Sequence, residues 1–505
     1  MHAKNATGSV SRQVGKGVAF VFLSNIARVL LNILTFAVLA RSVTQEQFGF
    51  FSLSLVCANL LASISCIGFE NSLPGFIAQK KETGQHDQVV GAIRSSGRIT
   101  LCLSLASMAL LYGVADWIAT VIDKPALAMP LKIMAPAIPL IACIMLYTSY
   151  LRSFENNRGK IIDMLVFPLV RLLLIGGILY GQLSFHALVG ANTISFFLVF
   201  ILLFFFTRSF LKDLFNQHKK GKPVGRELFF YSLPVLGVSL GRQLMMWTDT
   251  MMLGVFSSAL DVGIYSAGIR IARLISIIGV SANFVVLPIM ARLYRQGKKQ
   301  QLQDLYHGMH GTVLLVILPI FWTLLFAHDQ VMLLFFGGPY ASSNFFLAIL
   351  GAGWVVSVFS GINASVLLSV GKNKVQLYCF LAAAAVNILA NYILIPLYVK
   401  NGAATASCLG FMLYAGLSVI MVKRHAGLEL FKEKKYLLFL GGALLTTGLF
   451  YFLAQHGVFI TQSYLGLLLH MFLYALASLL LATVSGFLHK DQLQFFTPLL
   501  SRFRH

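Results

Sequence analysis

Fourteen apolar segments constrain this chain more than any other feature. They lie at about 17–40, 47–69, 99–122, 131–151, 162–182, 184–207, 228–255, 262–289, 311–327, 345–369, 375–398, 402–422, 436–455 and 464–488. A helix crossing a bilayer needs roughly 20 mostly apolar residues, and each segment supplies a run of that order. Composition agrees with this, since only 11% of the residues are charged where a soluble domain carries about a quarter. A soluble globular fold and a disordered chain are both excluded on that ground. The first segment is too long for a secretory leader and no small-residue cleavage site follows it, so it is expected to be a true span. The expected fold is an all-α integral membrane protein with fourteen transmembrane helices.

The charge imbalance follows the same pattern. The chain has 39 Lys and Arg against 17 Asp and Glu, a formal charge of +22. In a soluble protein this would suggest nucleic-acid binding, but here the positions of the cations say otherwise. With the N-terminus inside, eight cytoplasmic segments hold thirty of the cations, while the outer segments hold only Arg41, Lys124, Lys132 and Lys400. That asymmetry is the positive-inside pattern, and it places both termini in the cytoplasm. No nucleic-acid partner is implied. The six cysteines all fall inside spans, so no disulfide framework is expected. His307 and His310 have helical spacing but no Cys or acidic companions close by; they are expected to be a surface pair, and no metal site is expected.

Shifting the sequence by 214 residues aligns it with itself without a gap. Arg28 falls on Arg242, Gly49 on Gly263, Ser52 on Ser266, Leu73-Pro74 on Leu287-Pro288, and Lys160 on Lys374. Six spans therefore map onto six. An even unit repeats with the same orientation, so the halves relate by an axis along the membrane normal. The expected organisation is two pseudo-symmetric six-helix lobes, 1–214 and 215–428, with two further helices and a cytoplasmic tail at 429–505. Parallel repeats of this kind build transporters whose substrate path runs between the halves.

Five cations remain within the spans: Arg28, Arg171, Arg242, Arg270 and Arg273. An Arg at mid-bilayer costs roughly 2.5–3.5 kcal/mol on an insertion scale, so such residues usually face protein or a water-filled path. Asn25, Arg28, Asn32 and Thr35 follow i, i+3, i+7, i+10, one face of a helix. The repeat puts Ser239, Arg242, Met246 and Asp249 on the equivalent face of the seventh span. Arg28, Arg242, Arg270, Arg273, Arg171, Asn25 and Asn32 are thus the candidate substrate-binding residues, suited to an anion. The bland alternatives are Arg28 and Arg242 bonding carbonyls where helices bend, and the other three snorkelling to an interface. Asp249 and Glu70 are the candidates for ion coupling, although Asp249 could instead neutralise Arg242. Trp247, Tyr265 and Trp354 could stack on sugars, but packing is the commoner role in spans.

No G-x-x-x-x-G-K-[ST] run exists, and no loop exceeds about thirty residues. A nucleotide-binding or catalytic domain has no room, and no catalytic residue is expected. Fourteen spans in a 6+6+2 layout, Gly15-Lys16-Gly17 through Ala40-Arg41, then Gln47-Phe48-Gly49, Phe336-Gly337-Gly338-Pro339-Tyr340, Gly371-Lys372-Asn373-Lys374 and Asn401-Gly402-Ala403-Ala404-Thr405-Ala406 together resemble the multidrug/oligosaccharidyl-lipid/polysaccharide exporter superfamily. Within it the chain is similar to the O-antigen/exopolysaccharide flippases. The resemblance implies alternating access, an anionic polyprenyl-diphosphate-linked oligosaccharide as cargo, and the inner membrane of a bacterium. It also implies drive from a proton or sodium gradient or the membrane potential, no cofactor, a monomer, and polysaccharide polymerase or chain-length machinery as partners. Lipid II flippases are the alternative, although their first span typically carries Arg-Asp where this chain has Arg28-Val29. Multidrug antiporters, which usually have twelve spans and an acid in an N-lobe helix, and a scramblase or non-transporting scaffold fit less well.

Overall fold

The computed structural model describes residues 27–156, 158–182, 184–218, 221–341, 345–430, 434–455 and 464–484, and every regular element among them is helical. Asn25 lies outside the described residues. Helix α1 is described over 27–42. There follow α2 (Gln45–Ser65), α3 (Phe69–Glu82), α4 (His86–Val121), α5 (Ala128–Met134), α6 (Ala137–Ser153), α7 (Arg158–Ile161), α8 (Phe167–Tyr180), α9 (Phe185–Phe210), α10 (Lys212–Gln217) and α11 (Gly225–Phe256). Next come α12 (Ala259–Ala272), α13 (Leu274–Arg295), α14 (Lys299–Phe326), α15 (His328–Phe336), α16 (Phe345–Ser369), α17 (Asn373–Ala426), α18 (Lys434–Gln455) and α19 (Tyr464–Val484).

Among the described residues, nine helices are long and apolar enough to cross a membrane, or ten if Pro125–Met134 and Ala137–Ser153, bent by 42°, form one span. The chain is a multi-pass membrane protein. The difference from the expected fourteen has local causes. The first expected span lies partly outside the described residues. The eleventh and twelfth run together as the 54-residue α17, which is broken by non-helical Val399 at φ 51°. The last two are described only in part, with Gly441–Phe450 and Phe472–Thr483 as their apolar stretches among the described residues.

The chain divides into two compact units, one reaching Ala267 and adding Asn391–Ala403, the other comprising Gly268–Ala390 and the residues from Ala404 onward. This division follows compactness, whereas the expected lobes follow the sequence repeat.

In the first unit α6 is the hub. Its Tyr150 hydroxyl reaches Ser96 of α4 at 2.9 Å, its Ser149 hydroxyl donates to the Phe69 carbonyl at 3.3 Å, and its Ala142 carbonyl receives Cys66 Sγ at 3.5 Å. Local chemistry sets where α2 begins. Thr44 caps it, accepting from Gln47 N at 3.2 Å while Gln47 Oε1 accepts from Thr44 N at 3.1 Å. A reciprocal capping box of this kind is worth about 1 kcal/mol. Phe48 is fully buried. Gly49 has no room for a side chain: a Cβ there would lie 1.9 Å from the Ala259 carbonyl oxygen, and one on Gly263 would lie 1.9 Å from that of Gln45. These two contacts are one contact seen twice. Adding 214 to Gln45 and Gly49 gives Ala259 and Gly263, so the repeat offset appears here as a self-complementary crossing.

The second unit packs α13 and α14 on α16. The Ser365 hydroxyl bonds Asn283 at 3.0 Å and the Tyr306 hydroxyl bonds Asn363 at 2.7 Å. Trp322 of α14 stacks on Tyr474 of α19, with centroids 5.3 Å apart. His307 and His310 are buried here, which corrects the expected surface pair. His307 Nε2 meets the Glu429 carbonyl at 2.6 Å, and His310 Nδ1 meets the Tyr306 carbonyl at 2.9 Å. Backbone carbonyls, and for His310 the Tyr306 and Phe359 rings, hold side chains that spacing alone would leave to solvent.

Candidate functional site

The first unit gathers three of the candidate residues around Asn32. Helix α1 carries Arg28, Asn32 and Phe36 one turn apart, so all three share a face. The Asn32 amide donates to the Arg28 carbonyl at 2.7 Å, and its oxygen accepts from the Arg171 guanidinium of α8. A π-helical turn at Ile162–Val166 and Pro168 open α8. Phe167 and Arg171 then stand four residues apart, one above the other. The Arg171 guanidinium lies 4.5 Å from the Phe36 ring centre and 5.0 Å from that of Phe167. Arg171 is only 3% exposed.

The electrostatics are one-sided. Neither Arg28 nor Arg171 makes an ion pair among the described residues, and the Nε of each is buried without a hydrogen-bond partner there. A buried cation lacking an acid is costly, and aromatic faces return only about 0.5–2 kcal/mol each. The Asn32 amide ties the Arg171 guanidinium to the helix turn that carries Arg28, and two guanidiniums with N–H donors to spare are chemically equipped to take a phosphate or carboxylate.

A second group of candidates lies on α3 and α11. Asn71 donates to Ser239 at 3.1 Å and to the Glu70 carboxylate at 3.2 Å. Arg242, one turn beyond Ser239, is exposed. Asp249, two turns further on, is 1% exposed and accepts from the Tyr265 hydroxyl and the Asn391 amide, both at 2.8 Å. Tyr265 is therefore a buried donor to Asp249. Trp247 donates to Gln243 at 3.0 Å.

Arg270 and Arg273 fall in the other unit. Arg273 stands at the junction of α12 and α13, its guanidinium 5.9 Å from the Trp354 ring. Trp354 packs on Phe411 at 5.3 Å, so both its neighbours are protein. A cleft of about 690 Å³ at the ends of α6 and α9, lined by Phe154, Glu155, Ile161, Phe206 and Phe210 among others, contains none of the candidate residues. No cluster of three or more His, Cys, Asp or Glu that could hold a metal occurs among the described residues.

Sequence reasoning missed Phe36, Phe167, Asn71 and Asn391. Two aromatic residues do not stand out among 42 Phe. The i, i+4 spacings from Arg28 through Asn32 to Phe36, and from Phe167 to Arg171, were the available signal. The motif glycines answer backbone demands instead. Gly337 sits at φ 92° and Gly371 at φ 74°, conformations that side chains strain. A Cβ on Gly402 would lie 2.1 Å from the Leu394 carbonyl oxygen, across the tight reversal at Val399.

The family model for polysaccharide biosynthesis proteins matches residues 14–294, more than half of the chain. The chain belongs to this family. The MatE model matches residues 234–393, and together these place the chain in the multidrug/oligosaccharidyl-lipid/polysaccharide exporter superfamily, a superfamily of transporters and not of enzymes. The chain is similar to the lipid II flippase MurJ of Bacillus subtilis, 19% identical over 415 residues that cover 73% of this chain and 75% of MurJ. It is also similar to a protein of Haloferax volcanii described as a probable low-salt glycan biosynthesis flippase, Agl15, at 23% identity over 186 residues. That match covers 37% of this chain and spans 39% of the relative. A solved structure of the lipid II flippase MurJ in an inward closed conformation superposes with a TM-score of 0.72 at 15% identity, covering 95% of this chain and all of that one. The fold is that of this transporter group.

Proposed function

We propose that this protein is a flippase that moves a polyprenyl-diphosphate-linked oligosaccharide from the cytoplasmic to the outer leaflet by alternating access, for O-antigen, capsule or exopolysaccharide assembly. The observation that carries the reading is Arg28 and Arg171, two cations with no ion-pair partner among the described residues, Asn32 tying Arg171 to the turn that carries Arg28. A diphosphate head is anionic and offers the oxygens that guanidinium forks bind, often bidentately. Arg242, the repeat counterpart of Arg28, supplies a further cation. The inner membrane of a bacterium, with both termini cytoplasmic, suits the cation asymmetry.

Lipid II is the second reading, favoured by the long similarity to MurJ. It has the same diphosphate-prenyl chemistry, so the two readings differ only in the glycan. Against it stands Val29 after Arg28. A carrier of cationic drugs is disfavoured by guanidiniums with no acid beside them.

For drive, an inside-negative potential favours outward movement of an anion by about 2.3 kcal/mol per charge per 100 mV. Asp249 is the better candidate for a coupled proton or sodium ion. Its buried carboxylate accepts from the Tyr265 hydroxyl and the Asn391 amide, well inside a span. Asp249→Asn is expected to leave flipping intact but remove its response to an imposed proton or sodium gradient, measured in vesicles. An unchanged gradient response would end that role.

The test of the function is flipping of a labelled lipid-linked sugar in reconstituted vesicles, with polymer export measured in cells. Arg28→Ala and Arg242→Ala are expected to lose both at normal protein levels. Full transport by both variants would overturn the assignment. A scaffold would give no flipping at all, and a scramblase would move lipids with little headgroup selectivity.

A further inference from the structure

The chain breaks between α2 and α3 in an uncommon way. Ile67 and Gly68 both have positive φ, 49° and 74°, and a β-branched residue in that region is strained. The glycine is required, because a Cβ on it would lie 2.7 Å from the Leu236 backbone nitrogen of α11. The break sets the first turn of α3 against α11. The Ser72 and Ser232 hydroxyls meet at 2.6 Å, and Asn71 bonds Ser239 at 3.1 Å.

This joint holds Glu70 in an incomplete environment. One carboxylate oxygen accepts from Asn71, while the other is buried without a hydrogen-bond partner among the described residues. Two cations act on the carboxylate: Arg242, one turn past Ser239, and Arg152, whose guanidinium donates to the Glu70 backbone carbonyl. Neither forms an ion pair with it. A half-satisfied carboxylate thus stands beside an exposed guanidinium, on two helices locked together at a strained break.

We propose that Glu70 is the resident counter-anion of Arg242, pairing with that guanidinium when no cargo is bound and giving it up to the diphosphate. The role rests on the functional reading above and adds a release step to it. A diphosphate whose oxygens accept from both N–H arms of the Arg242 fork outcompetes a single carboxylate during loading. Once the cargo begins to leave, Glu70 retakes the guanidinium and opposes rebinding. Cargo affinity is then set below what the arginines alone would give, which is what turnover needs.

The test uses the full-length protein in nanodiscs, with farnesyl diphosphate as the probe and isothermal titration as the readout. Glu70→Gln is expected to bind about five-fold or more tightly than the unmodified protein and to flip lipid-linked sugar more slowly. Glu70→Ala should behave alike, while Glu70→Asp, which keeps the charge, should not tighten binding. In an Arg242→Ala background, Glu70→Gln should change nothing. Unchanged or weaker binding by both neutral variants at an unchanged melting temperature overturns the proposal. So does equal tightening in the Arg242→Ala background, because general charge repulsion would then explain it. If the unmodified protein neither binds the probe nor flips the lipid, the functional reading falls and this role with it. If it does both, and only the tightening is missing, the counter-anion role alone falls.

Discussion

Arg28 and Arg242 occupy one position of the repeat, yet their surroundings differ in kind. Arg28 is half-buried, and Asn32 ties its turn to the buried, aromatic-walled Arg171. No carboxylate pairs with either among the described residues. Arg242 is exposed, and a Glu70 carboxylate stands within its electrostatic reach. One turn past each Arg the repeat has diverged: Asn32 in the first half corresponds to Met246 in the second. A methionine cannot bridge to a second guanidinium. Thus a repeat can preserve a charge while its surroundings divide the labour. The first half holds a cation pair that no described carboxylate compensates, and the second holds a cation with an acid beside it.

The sharpest way to break this comparison is to delete each charge separately and weigh the losses. Charge-assisted hydrogen bonds are worth about 1.5–3 kcal/mol each, and 1.4 kcal/mol is about ten-fold in affinity. Arg28→Ala removes a cation that no described carboxylate offsets, so binding of farnesyl diphosphate is expected to weaken about 100-fold. Arg242→Ala removes a cation that Glu70 already opposes, so about ten-fold weakening is expected. Titration of the two purified variants gives the ratio. Equal losses would show that the repeat kept the function of the position along with its charge, and the contrast between the halves would vanish.

Much of this was legible in the residues. Apolar runs gave the helical membrane fold, because the bilayer tolerates few alternatives. The offset of 214 pointed to Arg28 and Arg242 as a pair, and the structure repeats that offset in the crossing of Gly49 and Gly263. The neighbours were not legible. That Arg171 reaches Asn32 depends on a π-helical turn at Ile162–Val166, which shifts the register by a fraction of a turn that no periodicity encodes. That Glu70 stands near Arg242 depends on positive φ at Ile67, a residue type whose propensity argues against it. The break at Val399, by contrast, falls where the sequence separates the eleventh and twelfth spans, at Lys400 and Asn401. Pattern reading finds faces and spans. Contacts set by local departures from ideal helix geometry lie outside its reach.

A smaller change sharpens the same comparison from the other side. Asn32→Met gives the first half the residue that the second half already has. The substituted side chain is similar in length, fills apolar space readily and keeps the helix intact. What it removes is the acceptor for Arg171 and the donor to the Arg28 carbonyl. Arg171 would keep its two aromatic walls but lose the one side-chain hydrogen bond it makes among the described residues, so its position relative to Arg28 would no longer be fixed. Weakening of farnesyl diphosphate binding by about ten-fold at most is expected, the low end of one hydrogen bond to a charged group. The melting temperature should fall as well, because Arg171 stays buried with its acceptor gone. A loss as large as that of Arg28→Ala would mean that Asn32 itself contacts the cargo. No loss at all would mean that the two guanidiniums act independently, and that the first half is no more organised for an anion than the second.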